Sequence, residues 1–282
     1  MKPRQAAFLL LALTLSGSIS LPANENPGGT FTFFVLADPQ MGMFAENRDF
    51  IRETENMEKA VAACNRLKPS FVVVLGDLVN REGDEKQIAE YLRLVRRIDP
   101  AIPVYPAAGN HDLGNVPTAA SLQKYRERFG PDYFAFEVQN TVGIVLDSSL
   151  IKVPGEIKEE RDKQKAWLEG ELRKARGSGK RVLLFQHIPW CLDDIDEPEK
   201  YENIGPEARR EYLALFASST VSHIFAGHRH MNGQMKIGAI EQVITGPVGK
   251  ALGPDPSGLL IVTVGPNGLS RRYVSLDLLP LM

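Results

Sequence analysis

Five short apolar runs punctuate the chain, and each of them stops at a polar cluster. Thr30–Ala37 (TFTFFVLA) ends in Asp38-Pro39-Gln40, and Ser70–Leu75 ends in Gly76-Asp77. Ala101–Tyr105 leads into Gly109-Asn110-His111-Asp112. Arg181–Phe185 ends in Gln186-His187, and Val221–Ala226 in Gly227-His228-Arg229-His230. Runs this short, rich in β-branched and aromatic residues, predict buried strands. Between and around them the apolar period lengthens to that of a helix, over Thr54–Leu67, Asp84–Ile98, Thr118–Phe129, Asp162–Ala175 and Pro206–Ala217. Tyr133–Val138 and Val142–Leu146 form a predicted hairpin pair. Ile240–Thr245, Gly258–Val264 and Ser270–Leu276 add three strands in a helix-poor tail, which predicts a second, mixed sheet packed on the first.

Strands separated by amphipathic helices imply βαβ crossovers and an α/β class with a largely parallel core sheet. Ligands of such sheets sit at the carboxyl ends of the strands, so Asp38, Asp77 and Asn110 are expected to converge on one edge.

Length changes the picture little. The 282 residues, 43% apolar and 24% charged, can bury a full core, and no break in composition divides residues 30–282, which read as one domain. A net charge of −2 leaves no polybasic footprint, so nucleic acid is not an expected partner. Residues 1–23 stand apart: Lys2 and Arg4 precede the apolar run Ala6–Leu15, and small residues follow. That order is a secretory signal, and the run is short for a membrane span. Cleavage after Ser20 or after Ala23 fits equally, and an uncleaved anchor is the other reading. The expectation is a secreted or periplasmic protein with a flexible lead-in at residues 24–29 and no membrane span once the signal is removed. Cys64 lies on an apolar helical stripe with Met57, Ala60, Val61 and Leu67, and Cys191 follows His187-Ile-Pro-Trp190. Two free thiols are expected, with a single disulfide as the alternative.

The histidines carry the chemistry. Of the five, His111, His187, His228 and His230 stand just beyond predicted strand ends, beside Asp, Asn, Gln or Gly, while His223 falls inside a strand and reads as structural. One histidine alone is more often a satisfied core or surface residue than a ligand. Four on one edge, with Asp38, Asp77 and Asp112, reverse that expectation. A mixed oxygen and imidazole set suits two divalent first-row ions such as Mn²⁺, Fe²⁺ or Zn²⁺, with Mg²⁺ less favoured. A set without thiolates does not resemble a structural zinc site.

Asp38-x-Gln40, Gly76-Asp77, Gly109-Asn-His-Asp112, His187 and Gly227-His-x-His230, in this order, resemble the five-block pattern of calcineurin-like metallophosphoesterases. Glu55–Asn65, Gly109–Thr118, Asp132–Phe136 and Phe185–Pro189 are also similar to an animal branch of that family described as serine/threonine phosphatases, over residues 30–277. The resemblance implies a four-layer αββα sandwich, two mixed sheets flanked by helices. It implies that Asp38, Gln40, Asp77 and His230 hold one metal and that Asp77, Asn110, His187 and His228 hold the other, Asp77 bridging. His111 would face the leaving group as general acid, with Asp112 orienting it, while a hydroxide bridging the metals attacks phosphorus. The expected function is hydrolysis of phosphate monoesters by a monomer, phosphoproteins among the substrates. Diester hydrolysis on nucleotides or phospholipid head groups is the alternative, and an exported metal-binding protein without turnover a more distant one. Many family members carry His where this chain has Gln40, which predicts two sites of unequal affinity; a Gln40 that only bonds a metal-bound water is the other reading. The acidic stretch Asp193–Glu202 is expected to be a solvated loop at the site mouth.

Overall fold

The computed structural model describes residues 19–20 and 29–279. The export signal expected over residues 1–23 and the lead-in at 24–29 lie outside the described residues, apart from Ile19, Ser20 and Gly29. The chain opens with β1 (Ile19–Ser20), β2 (Phe31–Leu36), α1 (Ile51–Leu67), β3 (Val72–Val74), α2 (Glu85–Val95) and β4 (Val104–Pro106). A short turn of helix, α3 (Asn110–Leu113), leads to α4 (Ala119–Phe129) and the hairpin β5 (Phe134–Val138) and β6 (Thr141–Val145). Then come α5 (Ser148–Lys152), α6 (Lys158–Gly177), β7 (Arg181–Phe185), α7 (Pro206–Ala217) and β8 (Val221–Ala226). The tail is all strand: β9 (Gly233–Ile237), β10 (Ile240–Ile244), β11 (Gly258–Gly265) and β12 (Gly268–Ser275).

These strands form two mixed sheets. One has the order β12-β11-β2-β3-β4, with β2, β3 and β4 parallel and β11 antiparallel to β2. The other has the order β1-β5-β6-β7-β8-β10-β9, with β6, β7, β8 and β10 parallel. The tail therefore does not build a sheet of its own. β9 and β10 extend one sheet and β11 and β12 the other, because the connection at residues 245–257 crosses between them. Apolar runs alone cannot show that crossing, since strands of either sheet look alike in sequence.

Alternation along each strand sorts the side chains into layers. Phe33 and Val35 of β2 face the space between the sheets with Phe185 and Phe225, whereas Phe34 and Leu36 face the other way, onto Met57, Val61 and Tyr91 of α1 and α2. On the second sheet Leu183 and Phe185 point inward, while Val182 and Leu184 pack on Leu168 of α6 and Phe216 of α7. Helix, sheet, sheet and helix thus follow in order, the four-layer arrangement expected. The inter-sheet layer is largely aromatic: Phe33 stacks on Phe71 with ring centroids 4.6 Å apart, and Phe185 on Phe225 at 5.3 Å. Each such buried ring stabilises the fold by about 1.5–3 kcal/mol.

Cys64 and Cys191 are both buried and free. No helix among the described residues is long and apolar enough to cross a membrane.

Candidate metal centre

β2, β3 and β4 run parallel and stop at Leu36, Val74 and Pro106, so the loops that follow deliver Asp38, Asp77 and Asn110 to one edge. β7 and β8 of the facing sheet stop at Phe185 and Ala226 and deliver His187, His228 and His230 to the same edge. The two sheets meet there in a buried polar pocket. Asp77, His187 and His228 place ligand atoms within 4.8 Å of one another, and so do Asp38, Asp77 and His230. Asp77 belongs to both groups.

The hydrogen bonds fix which atom each histidine offers. His187 Nδ1–H donates to the Leu75 carbonyl at 2.7 Å, His228 Nε2–H to that of Tyr201 at 3.1 Å, and His230 Nδ1–H to that of Lys250 at 2.6 Å. The opposite nitrogen of each ring is then the one turned toward its neighbours in the pocket, which is how ligand histidines are held. His187 Nε2 lies 3.0 Å from Asn110 Oδ1, 3.0 Å from His228 Nδ1 and 3.2 Å from Asp77 Oδ1. Four electron-pair donors this close repel one another unless a cation or a proton lies among them. Gln40 Oε1 is buried without a partner, while its Nε2 donates to Asn80 Oδ1 at 3.2 Å. A lone buried amide oxygen on the loop that carries Asp38 fits a metal ligand, and the whole donor set fits two divalent ions.

The protein's own charges show how strongly the pocket attracts positive charge. Burial opposes the His187 imidazolium, but Asp77 and Asp38 overcome it and raise its pKa to about 9. Burial and that neighbouring charge push His228 down to about 3. Burial would raise Asp77, yet the surrounding histidines, His187 foremost, hold it below the usual carboxylate range. Asp38 moves upward, with burial the main cause.

Backbone strain is concentrated on the same residues. Nine non-glycine residues have left-handed φ among the described residues, and five of them are Asp38 (+48°), Gln40 (+41°), Asp77 (+48°), His228 (+70°) and His230 (+54°). That region is disfavoured for side chains with a Cβ and persists where function holds it in place. Close approach explains the neighbouring glycines. A Cβ on Gly109 would lie 2.2 Å from both the amide nitrogen and Oδ1 of Asp77, and one on Gly227 2.7 Å from Asp38 Oδ2.

His111 is half-buried at the rim, on the first turn of α3. Its amide donates to Asp77 Oδ1 at 2.9 Å and its Nδ1–H to the Asn80 carbonyl at 2.8 Å, which leaves Nε2 to face outward. Asp112 does not orient this ring directly, contrary to expectation. Asp112 Oδ1 accepts the Leu78 and Val79 amides at 2.8 and 3.1 Å, and Oδ2 accepts the Gly109 amide at 2.8 Å. Asp112 ties the Asp77 loop to the Asn110 loop, and the Asn80 carbonyl sets the histidine. Burial, with the Asp77 charge, pushes the Asp112 carboxyl up to about 8. His223 stays outside the site, on β8, with Nδ1 3.1 Å from Ser222 Oγ.

Two contributors were not legible from the sequence. Asn80 supplies both the carbonyl for His111 and the partner of Gln40. Tyr201 comes from the acidic stretch, which is exposed as expected apart from Glu197, buried and accepting from the Leu192 amide and Asn203 Nδ2, and the half-buried Glu202.

Two sandwiched mixed sheets with a carboxylate shared between two ligand groups at their common edge describe a metal-dependent hydrolase of phosphoric esters. Residues 31–232 match the calcineurin-like phosphoesterase family, and the chain belongs to it. It is 33% identical over 266 residues to the serine/threonine-protein phosphatase CPPED1 of Homo sapiens, a match covering 88% of this chain and 85% of that one. The Danio rerio protein of the same name is 34% identical over 265 residues, covering 88% and 86%. Among solved structures, a dimetal phosphatase from Danio rerio superposes with a TM-score of 0.60 at 17% identity, over 87% of this chain and 99% of that one. The purple acid phosphatase PPD1 of yellow lupin gives 0.63 at 13% identity, over 89% of this chain and 52% of that one. Both structural likenesses show the fold.

Proposed function

We propose that the chain is a dinuclear phosphomonoesterase with His111 as its general acid, acting on phosphoproteins or small singly phosphorylated compounds. The observation that carries this reading is Asp77, whose carboxylate belongs to both ligand groups and also holds the His111 amide at 2.9 Å. Two divalent ions of the Mn²⁺, Fe²⁺ or Zn²⁺ kind, held by Asp38, Gln40, Asp77 and His230 and by Asp77, Asn110, His187 and His228, would neutralise phosphoryl oxygens and activate water. His111 then stands one residue beyond a ligand, beside the reacting phosphorus. Its Nδ1 proton is committed to the Asn80 carbonyl, so the proton it can deliver to a departing oxygen sits on Nε2. The names of the relatives support a phosphoprotein substrate, and the exposed acidic side chains Asp193, Asp194 and Asp196 disfavour polyanions. Export through residues 1–23 is part of the same proposal, and N-terminal sequencing from the native host should place the first residue between Leu21 and Asn26.

The test compares p-nitrophenyl phosphate, an alkyl phosphate monoester and bis(p-nitrophenyl) phosphate in Mn²⁺. The monoesters should be preferred. His111→Ala should keep its metals and lose on the order of 10²–10⁴ in kcat on the alkyl ester, the usual worth of one general acid. It should lose less on the aryl monoester, whose leaving group needs less protonation. A preference for the diester, or loss of bound metal in His111→Ala, would refute the proposal.

A further inference from the structure

We infer that Tyr201 is a positioning residue for the metal group formed by Asp77, Asn110, His187 and His228, acting on two of these ligands from a loop outside the family's ligand pattern. This rests on the reading that those residues bind metal. Tyr201 touches the group in three ways. Its carbonyl accepts His228 Nε2–H at 3.1 Å, which fixes the tautomer that turns the bare Nδ1 toward His187. Its phenolic oxygen accepts Asn110 Nδ2–H at 2.9 Å. Its ring lies against the His228 ring, with centroids 4.9 Å apart.

The contact to Asn110 steadies a ligand with an ambiguity that a carboxylate would not have. An amide can present oxygen or nitrogen to the pocket, and only oxygen is a ligand. Asn110 Nδ2 has two acceptors on one side, Tyr201 Oη at 2.9 Å and Asn115 Oδ1 at 2.8 Å. Oδ1 is thereby aimed at His187 Nε2, 3.0 Å away. Flipping the amide would turn its oxygen onto Asn115 Oδ1 and place N–H groups against the pocket's electron pairs, while the Tyr201 hydroxyl, which can donate as well as accept, holds the side chain in place. Removing Oη takes away one of the two bonds that hold it.

For Tyr201 to act in this way its loop must be fixed, and it is. Arg209 of α7 is fully buried and donates to the carbonyls of Trp190, Ile195, Glu197 and Ile204. Lys152 Nζ binds the Lys200 carbonyl at 2.7 Å and also the Asn203 carbonyl, gripping the chain on both sides of Tyr201. Tyr201 as a whole remains 54% exposed, although its ring packs on the buried His228. Core packing would not leave an aromatic residue so exposed.

Tyr201→Phe keeps the carbonyl and the ring contact and deletes only Oη. Isothermal titration of Mn²⁺ into the metal-free protein reads each site directly. One of the two sites should weaken by about 10–100-fold, the usual effect of removing a ligand's hydrogen-bond partner, while the other stays unchanged. Turnover lost at low Mn²⁺ should return at saturating Mn²⁺. Asn110→Ala should weaken the same site, and adding Tyr201→Phe to it should cost nothing further, since the two act through one bond. Wild-type binding at both sites in Tyr201→Phe, equal weakening of both, or full additivity with Asn110→Ala would each overturn the inference. A wild-type protein whose Mn²⁺ titration is indifferent to Asp77→Asn would instead remove the metal reading on which it rests. Two sites filled without turnover on any phosphoester would refute the proposed hydrolysis and leave the role of Tyr201 standing.

Discussion

Gln40 offers the pocket a neutral oxygen at a position that is almost fully buried, and its Oε1 has no partner within the protein. A neutral amide is a weaker donor to late first-row ions than imidazole, and the candidate group it would join has one imidazole, His230, where the other has His187 and His228. The two sites should therefore differ in affinity, with purified protein retaining about one metal and regaining activity on addition of Mn²⁺. Gln40→His should tighten the weaker site and shift it toward Zn²⁺ or Fe²⁺, and His tolerates the left-handed φ of +41° found there. Calorimetric titration checks this: equal affinities, unchanged by the substitution, would show that Gln40 is not a ligand. The candidate ligands were legible residue by residue because each stands just beyond an apolar run. Tyr201 was not, because 91 positions separate it from Asn110 and nothing local marks an aromatic residue in an acidic loop as a partner.

At the scale of elements, α5 begins on a buried acid. Asp147 Oδ1 caps the helix by accepting the Ser149 and Leu150 amides at 2.9 and 3.1 Å, while Oδ2 is buried without a partner. Burial, reinforced by the Asp132 charge, pushes this carboxyl well above the usual range. Folding thus favours its protonated form. The stability it contributes is full below the unfolded carboxylate value of about 4 and is lost as pH rises through the folded value. Asp147→Asn keeps the capping oxygen and removes the charge, so the variant should melt higher than wild type at pH 8, by about 2–4 °C for each kcal/mol recovered. The gap should close toward pH 4; melting curves with a constant gap across that range would contradict the assignment. Element boundaries were legible where a run is apolar on both sides and cut by polar residues, as for β7, α7 and β8, whose ends match the pattern residue for residue. They were not where the signal is absent. α1 begins three residues before the expected Thr54, at an exposed Ile51 behind Phe50, which supplies no side-chain cap. β9 is an edge strand with Gln234 and Lys236 toward solvent, so its apolar content is too low to stand out.

Across the whole molecule, the two sheets hold each other through an aromatic layer while their carboxyl ends carry the candidate ligands, so the inter-sheet core lies directly under the site. The packing beneath them keeps five candidate ligands in left-handed backbone, at roughly 1 kcal/mol or more apiece. The sum is comparable with the net stability of an ordinary domain, about 5–15 kcal/mol. Gln40→Gly removes one such strain and the orphaned oxygen with it. Without metal it should melt at or above the wild-type temperature, while Mn²⁺, which should stabilise wild type by binding the native state, should raise it less. Thermal shift in EDTA and in Mn²⁺ separates the two effects, and a metal-free variant melting many degrees lower would show that the loops store no strain. Heat resistance and catalysis then pull this sequence in opposite directions. A lineage released from selection for turnover would drift toward glycine at the strand tips, growing sturdier as it fell silent.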